Sequence, residues 1–386
     1  MNVGVIGGGV YGAATAYFLS RFGAESIEIF EKDHVASGST GVSVGIVRHH
    51  YSHDIQIRMA KRGREIYENF EAYVGNDGGF RQNGYLTLAA PEGESELRRI
   101  VTLQRDLGID VELLEPGELE DYLPGIDTDG VSLAAYEREG GFADPHLVAS
   151  GFVDAAVDNG ARIHTGTVVT DLEHEDGTVT GIETTAGTHD VDYVVNAAGP
   201  WGSDVASMIG VDLPLQWRES KVALLRASRA YSPSYPTLSD GSTEPGLYAK
   251  PEPNGEFLCG GIERPPIDRE TGLEGVTESF LRQVSQRLEG RLPWCSDAEV
   301  VDTWSGVITV TPDAYQIVGV PEGVENFCNL VGGSGHGFKE APAFAESVAL
   351  DILGESPRID LDPYALERFE RGETFDGISA ETYTDG

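Results

Sequence analysis

The feature that most constrains this chain is a run of glycines near its start. Val3 to Ile6 reads as a short apolar strand, and Gly7-Gly8-Gly9-Val10-Tyr11-Gly12 follows directly, a G-x-G-x-x-G pattern opening an apolar helix from Ala13 to Arg21. A second strand, Ser26 to Phe30, ends at Glu31, 19 residues beyond Gly12. Strand, glycine turn, helix and strand in this order make the first half of a doubly wound parallel sheet. Gly7 permits the tight turn, Gly9 lets a pyrophosphate approach the backbone, and Gly12 lets helix and strand pack closely. The first amides of the helix then face phosphate oxygens, and Glu31 stands where a carboxylate accepts both hydroxyls of a ribose. A bound dinucleotide is expected. The motif alone does not separate NAD from FAD, but Glu31 disfavours NADP, whose 2′-phosphate it would repel.

Further along, Ile55 to Val74 carries Ile57, Ala60, Ile66, Tyr67 and Phe70 at helical spacing. Tyr85 to Leu88 reads as a strand, Glu94 to Leu107 as a charged helix, and Gly117 to Tyr122 as a short helix between prolines. A helix from His146 to Asn159 precedes strands at Ala161 to His164, Val168 to Leu172 and Val179 to Thr184. The apolar strand Asp192 to Asn196 then runs into Ala197-Ala198-Gly199-Pro200-Trp201, as at the carboxyl edge of the same parallel sheet. From Leu213 to Thr309 short strands alternate with Pro and Gly turns, which reads as an antiparallel sheet. A last helix, Ala341 to Leu353, follows the glycine-rich stretch Val331 to Gly337, and a polar tail begins after about Gly372. The fold expected is α/β: a Rossmann-like dinucleotide domain with a second, α+β domain built on an antiparallel sheet. Both are discontinuous, the first over 1–78, 142–213 and 310–386, the second over 79–141 and 214–309.

Composition removes several classes of function. The 386 residues include 27 Lys plus Arg against 64 Asp plus Glu, a net charge of −37. Affinity for nucleic acid comes from counterions released around Lys and Arg, so a phosphate-backbone partner is excluded in practice, and anionic membranes are disfavoured likewise. Only Lys32, Lys61, Lys221, Lys250 and Lys339 are lysines, and the acidic residues are scattered, as in a protein from a high-salt cytoplasm. Three unclustered cysteines, Cys259, Cys295 and Cys328, make neither a disulfide framework nor a zinc site. With no basic leader and no apolar run near 18 residues, a soluble cytoplasmic protein is expected, without membrane insertion. His49, His50 and His53 lack matching further ligands and read as a cavity rim or a solvated loop, so no metal is expected.

The chain resembles the FAD-dependent amino-acid and amine oxidoreductases of the D-amino-acid oxidase superfamily, on the glycine oxidase and sarcosine oxidase side. The resemblance runs through nearly the whole chain in order. It rests on Gly7 to Gly12 with Glu31, then Ala36-Ser37-Gly38-Ser39-Thr40 before Gly45-Ile46-Val47-Arg48. It continues through Asn196 to Trp201, Tyr248-Ala249-Lys250-Pro251 and Gly260-Gly261, and ends with Trp304-Ser305-Gly306, Thr311-Pro312-Asp313 and Gly333 to Lys339. It implies FAD, contacted at its nucleotide side by Gly7, Gly9, Val10, Tyr11, Gly12, Glu31, Lys32 and Val168. Ser39, Thr40, Ala198, Gly199, Trp201 and Gly306 would make further contacts, and the run Gly333, Gly335, His336, Gly337, Phe338 and Lys339 would meet the flavin. Short hydroxyls at Ser39 and Thr40 suit phosphate or ribityl oxygens, and a glycine run brings amides against a planar edge.

The same resemblance assigns Arg48 and Lys339 to a substrate carboxylate and Tyr248 to the cavity lining. It implies oxidation of a small amino acid or N-alkyl amino acid by hydride transfer to the flavin, giving an imine that hydrolyses. Arg grips a carboxylate with two donors, Lys as a point charge. Covalent-flavin relatives carry cysteine where this chain has Gly306, so the FAD is expected to be non-covalent. A lysine promoting the oxygen reaction in the monomeric oxidases matches Leu258, and a histidine and an arginine near their flavin match Gly41 and Gly45. A dehydrogenase passing electrons to a carrier is thereby slightly favoured over an oxidase using oxygen. Two alternatives stay open: a 2-hydroxy-acid or polyol dehydrogenase, and a flavin subunit relaying electrons within a complex.

Overall fold

The structure, a computed structural model, describes residues 1–243 and 246–377; residues 244–245 of the expected second domain and 378–386 of the polar tail lie outside the described residues. A six-stranded sheet holds, in spatial order, Ile317–Gly319, Phe327–Val331, Tyr193–Asn196, Asn2–Ile6, Ser26–Phe30 and Arg162–His164. All neighbours are parallel except the first pair. The three central strands are almost wholly buried and apolar, as strands covered on both faces must be. Because they run parallel, their following turns emerge at one edge. Gly7–Gly9, Ala197–Gly199 and Gly332–Gly337 are thus brought side by side from widely separated parts of the chain.

One face of this sheet is covered by helices. Val10–Phe22 lies innermost, with Ala13, Ala14 and Ala16 buried alongside Tyr17, Phe18 and Leu19. Small residues let Pro145–Asp158 and Ala341–Ile352 pack closely against it, and Asp54–Glu68 packs on the latter. The helix expected over Ile55 to Val74 is broken at Asn69, whose φ of −107° and ψ of 23° end the first helix before Phe70–Val74. The other face carries the short helix Gly202–Ser207, through Val205 and Ala206. A three-stranded antiparallel sheet, Val169–Glu175, Thr178–Thr184 and Gly187–Asp190, closes it through Leu172, Val179 and Ile182 against Ile6, Phe30 and Val194.

An eight-stranded sheet gathers Glu299–Val310, Gln216–Arg226, Phe257–Gly260, Leu247–Pro251, Thr237–Gly241, Tyr85–Ala89, Leu133–Glu137 and Val111–Leu114. Its pairs are antiparallel save Thr237–Gly241 with Tyr85–Ala89. Strand alternation sends Leu86, Leu238 and Ala249 into a core, while Tyr85, Thr87, Ser239 and Tyr248 line a large cavity. The stretch read only as strands and turns also contains a helix, Glu278–Arg291, packed on that core through Phe280, Val284 and Leu288. Its signals were present: Thr277 caps it by accepting from the Phe280 amide at 3.2 Å, and the buried residues recur every four positions.

Candidate active site

A cavity of about 1360 Å³ lies at the carboxyl edge of the parallel strands and reaches the eight-stranded sheet. Gly7, Gly9, Val10 and Tyr11 contribute to its wall, with Glu31 and Lys32 beside them. Gly7 has a φ of +112°, and a Cβ there would stand 2.4 Å from the Ala197 carbonyl. Gly12 does not line the cavity. A Cβ on it would meet the Gly7 carbonyl at 1.9 Å, so its role is the close approach of helix to turn. The helix has no acidic residue in its first turn, leaving the positive end of its dipole for a ligand anion.

Glu31 is fixed by its own neighbourhood. One carboxylate oxygen accepts from the Gly8 amide at 2.7 Å and the other from the Asp33 amide at 2.8 Å. Lone pairs remain for further donors. The Lys32 ammonium lies 3.3 Å from the centroid of the Trp201 ring. Thr40 Oγ1 accepts from the Val10 amide at 3.0 Å, joining its loop to the helix start, and the Ser39 hydroxyl donates to the Val307 carbonyl. Val168, Ala198, Gly199 and Trp201 complete this part of the wall. The Val168 backbone is already paired with Thr185 in both directions.

The run Gly333 to Lys339 lines the cavity throughout. The His336 ring is turned away from it, into the interior: Nε2 is 2.7 Å from the Ala314 carbonyl and Nδ1 is 3.2 Å from Glu340 Oε2. Burial lowers its pKa. With its ring so engaged, the residue offers its backbone to a ligand in the cavity. Behind the loop Gln316 donates to Glu340 at 2.7 Å and to the Tyr11 hydroxyl at 3.1 Å. Gln316 and Glu340 escaped the sequence reading, because a buried polar network has no local signature.

Gly306 is not among the residues that line the cavity. It pairs with Ser220 in the eight-stranded sheet, and a Cβ on it would meet Val42 Cγ2 at 2.2 Å. Val42 lines the cavity and Gly306 lies behind it. Gly41 is similarly enclosed, with the Ala36 carbonyl 2.2 Å and the His146 ring 2.8 Å from a Cβ built there. Leu258 faces a smaller cavity with Leu224 and Trp304, so its match to an oxygen-promoting lysine does not fall on the main one.

Arg48, Lys339 and Tyr248 all line the main cavity. Arg48 follows the short strand Ile46–Val47 and donates to the His50 carbonyl. Its guanidinium lies 4.7 Å from the Tyr51 ring centroid and 5.8 Å from that of Tyr85. Lys339 ends the turn Gly337–Lys339; its ammonium donates to the His336 carbonyl at 3.0 Å and lies 5.9 Å from the same Tyr51 ring. Burial first, and the Arg48 charge second, hold the Lys339 pKa well below its ordinary value. A carboxylate arriving beside the ammonium would act in the opposite direction through its charge. The histidines beside Arg48 are not a solvated loop. His49 is buried, its backbone amide and Nδ1 bonded to Glu137 at 2.7 and 3.1 Å, and His50 lines the cavity with a pKa that burial lowers to about 4.

The family described as FAD dependent oxidoreductase matches residues 2–350. The chain belongs to that family. FAD dependent oxidoreductase domain-containing protein 1 of Bos taurus is 31% identical over 421 residues, covering 96% of this chain and 85% of the relative. Sarcosine oxidase subunit beta of an Arthrobacter species is 28% identical over 383 residues, covering 97% and 92%. The crystal structure of L-proline dehydrogenase from P. horikoshii superposes with a TM-score of 0.89 at 26% identity, over 97% of this chain and 99% of that one. The cofactor of this FAD dependent oxidoreductase is thus FAD, and the residues present fit it. The glycine turn would be closed by any Cβ at Gly7, the helix start is free of acidic side chains, and Glu31 is held at the end of the second strand. Among the described residues all three cysteines are buried and none lines the cavity.

Proposed function

We propose that the chain oxidises a small amino acid or N-alkyl amino acid, with FAD held non-covalently. The observation that carries this reading is the pair Arg48 and Lys339, flanking one buried Tyr51 ring in the wall of the cavity that carries the dinucleotide motif. Two cations so placed accept one carboxylate, Arg48 with its fork of donors and Lys339 as a point charge. His50, kept neutral by burial, adds no third charge. Two relatives support the substrate class: sarcosine and L-proline, in their names, are both secondary amino acids.

FAD, when bound, supplies the acceptor for the two electrons and the hydrogen that leave the substrate's carbon. The chain's own residues dock the carboxylate, orient the amine and restrict water, with Tyr248 and Tyr85 forming the wall nearby. No side-chain base is assigned, and the imine product hydrolyses in water. An electron carrier is proposed as acceptor ahead of oxygen. In support, the lysines lining the cavity, among the described residues, are Lys32 and Lys339, engaged with Trp201 and with the His336 carbonyl.

Anaerobic bleaching of the flavin by a panel of amino acids, N-methyl amino acids and 2-hydroxy acids tests the substrate. Bleaching by 2-hydroxy acids alone would replace the amine reading, and bleaching by none would support an electron-relay subunit. Arg48→Ala should raise KM for the carboxylated substrate by about 100-fold, the loss of a charged hydrogen-bonded pair, and an unchanged KM removes the docking assignment. Reoxidation in air as fast as turnover would restore oxygen as the acceptor.

A further inference from the structure

We propose that Glu28, His164 and His189 form a binding site for a divalent transition-metal ion, Zn²⁺ in the first instance, where the parallel sheet meets the three-stranded sheet. The three residues lie on different strands: Glu28 on Ser26–Phe30, His164 on the edge strand Arg162–His164, and His189 on Gly187–Asp190. His164 Nε2 is 2.7 Å and His189 Nδ1 2.9 Å from the same oxygen, Oε2 of Glu28, and the three ligand atoms all lie within 4.8 Å of one another. Two imidazoles and a carboxylate are a ligand set that zinc accepts, with a water completing the tetrahedron. Zinc–ligand bonds of roughly 2.0–2.2 Å put tetrahedral ligands about 3.3 Å apart. The two short contacts would open by about 0.4–0.6 Å, while the two ring nitrogens, within 4.8 Å of each other, would close towards the same spacing.

Several features favour a site over a simple ion-pair cluster. Both rings are held by Phe30: His164 stacks on it at 5.1 Å with planes 10° apart, and His189 meets it edge-on at 4.8 Å. The other Glu28 oxygen accepts from Arg162 at 2.6 Å, which orients the carboxylate from outside and leaves Oε2 as the single ligand atom. Side-chain exposures of 17% to 28% leave room for an ion and its water to enter from solvent. The net charge of −37 raises the local concentration of divalent cations. These residues are far apart in sequence, so no spacing motif marks them.

The ion would join the edge of the parallel sheet to the three-stranded sheet. Phe30, and Val168 and Val169 at the start of that smaller sheet, line the FAD cavity, so the ion would fix one of its walls. The site does not depend on the substrate assigned above, and its test reads binding, not turnover.

Holoenzyme freed of metal with a chelator should be titrated with Zn²⁺ alone by calorimetry. One saturable site of roughly micromolar affinity is expected, together with a rise in Tm at saturating Zn²⁺. His164→Ala with His189→Ala should abolish both effects. Should that pair fail to fold, His189→Gln alone keeps a donor for Glu28 and should still weaken binding by more than about 10-fold, and Arg162→Gln by about 10-fold. Absence of saturable binding below 1 mM (about −4 kcal/mol) would overturn the proposal, as would binding unchanged in a folded His189→Gln protein.

Discussion

Arg48 and Lys339 show how a strongly acidic protein makes a place for an anion. Each gives one donor to a carbonyl of its own loop, from His50 and His336 respectively, and both flank the Tyr51 ring. Elsewhere in the molecule Arg62, Arg291 and Arg368 are paired with Glu346, Asp240 and Asp313. His50 next to them yields a pH prediction. Its pKa falls from 6.5 to about 4, chiefly through burial, so the unfolded chain binds the proton more readily than the folded one. Stability contributed by the neutral ring is fully present above the unfolded value, declines as pH falls from about 6.5 towards 4, and is reduced there by on the order of 3 kcal/mol. His50→Gln should flatten that limb of a urea-unfolding series recorded from pH 7 to pH 4. A limb as steep as in the parent would show that other groups cause it.

Among the elements, those built by local rules were legible in the chain. The strand-turn-helix start and the apolar strand before Ala197 carry their own signals, as does the glycine run before Ala341–Ile352. The turns after Ile6, Asn196 and Val331 converge because parallel strands end at one edge, which the doubly wound expectation already contained. What was not legible depends on distant partners. Gly306 is small because Val42 occupies the space beside it, and the His336 ring points inward because Ala314, Glu340 and Tyr51 receive it. Glu278–Arg291 was missed for a different reason, since Pro- and Gly-rich strand text around it masked its cap and its spacing. The short helix Arg368–Arg371 is held by one such distant partner. Arg368 donates twice to Asp313, at 2.8 and 2.9 Å, and both side chains are 1% exposed. Arg368→Ala leaves that carboxylate buried without its counter-charge, with donors from Thr311 and the Tyr315 and Phe375 amides, and should cost about 3 kcal/mol in denaturant unfolding. A loss below about 1 kcal/mol would mean that water reaches Asp313 there.

Over the whole molecule, the charge of −37 opposes the cationic pocket at long range. At low salt a net anionic ligand is repelled before it can reach Arg48 and Lys339, whereas a zwitterionic amino acid is affected much less. The association rate of an anionic carboxylate inhibitor should therefore rise, by up to about tenfold, as salt increases from the millimolar range to a few tenths molar. A flat or falling rate, followed by stopped-flow flavin absorbance, would show that the pocket dominates the approach. The parallel sheet has a consequence of another kind, for the order in which the molecule comes into being. Asn2–Ile6 pairs with Tyr193–Asn196, which in turn pairs with Phe327–Val331. At roughly 5–20 residues per second of synthesis, the first strand waits tens of seconds for the last of these neighbours. Until then its glycine turn has at most the Ala197 turn beside it, and not the Gly332–Gly337 loop. A nascent chain in which Gly332–Gly337 has not yet been made therefore lacks a finished FAD cradle.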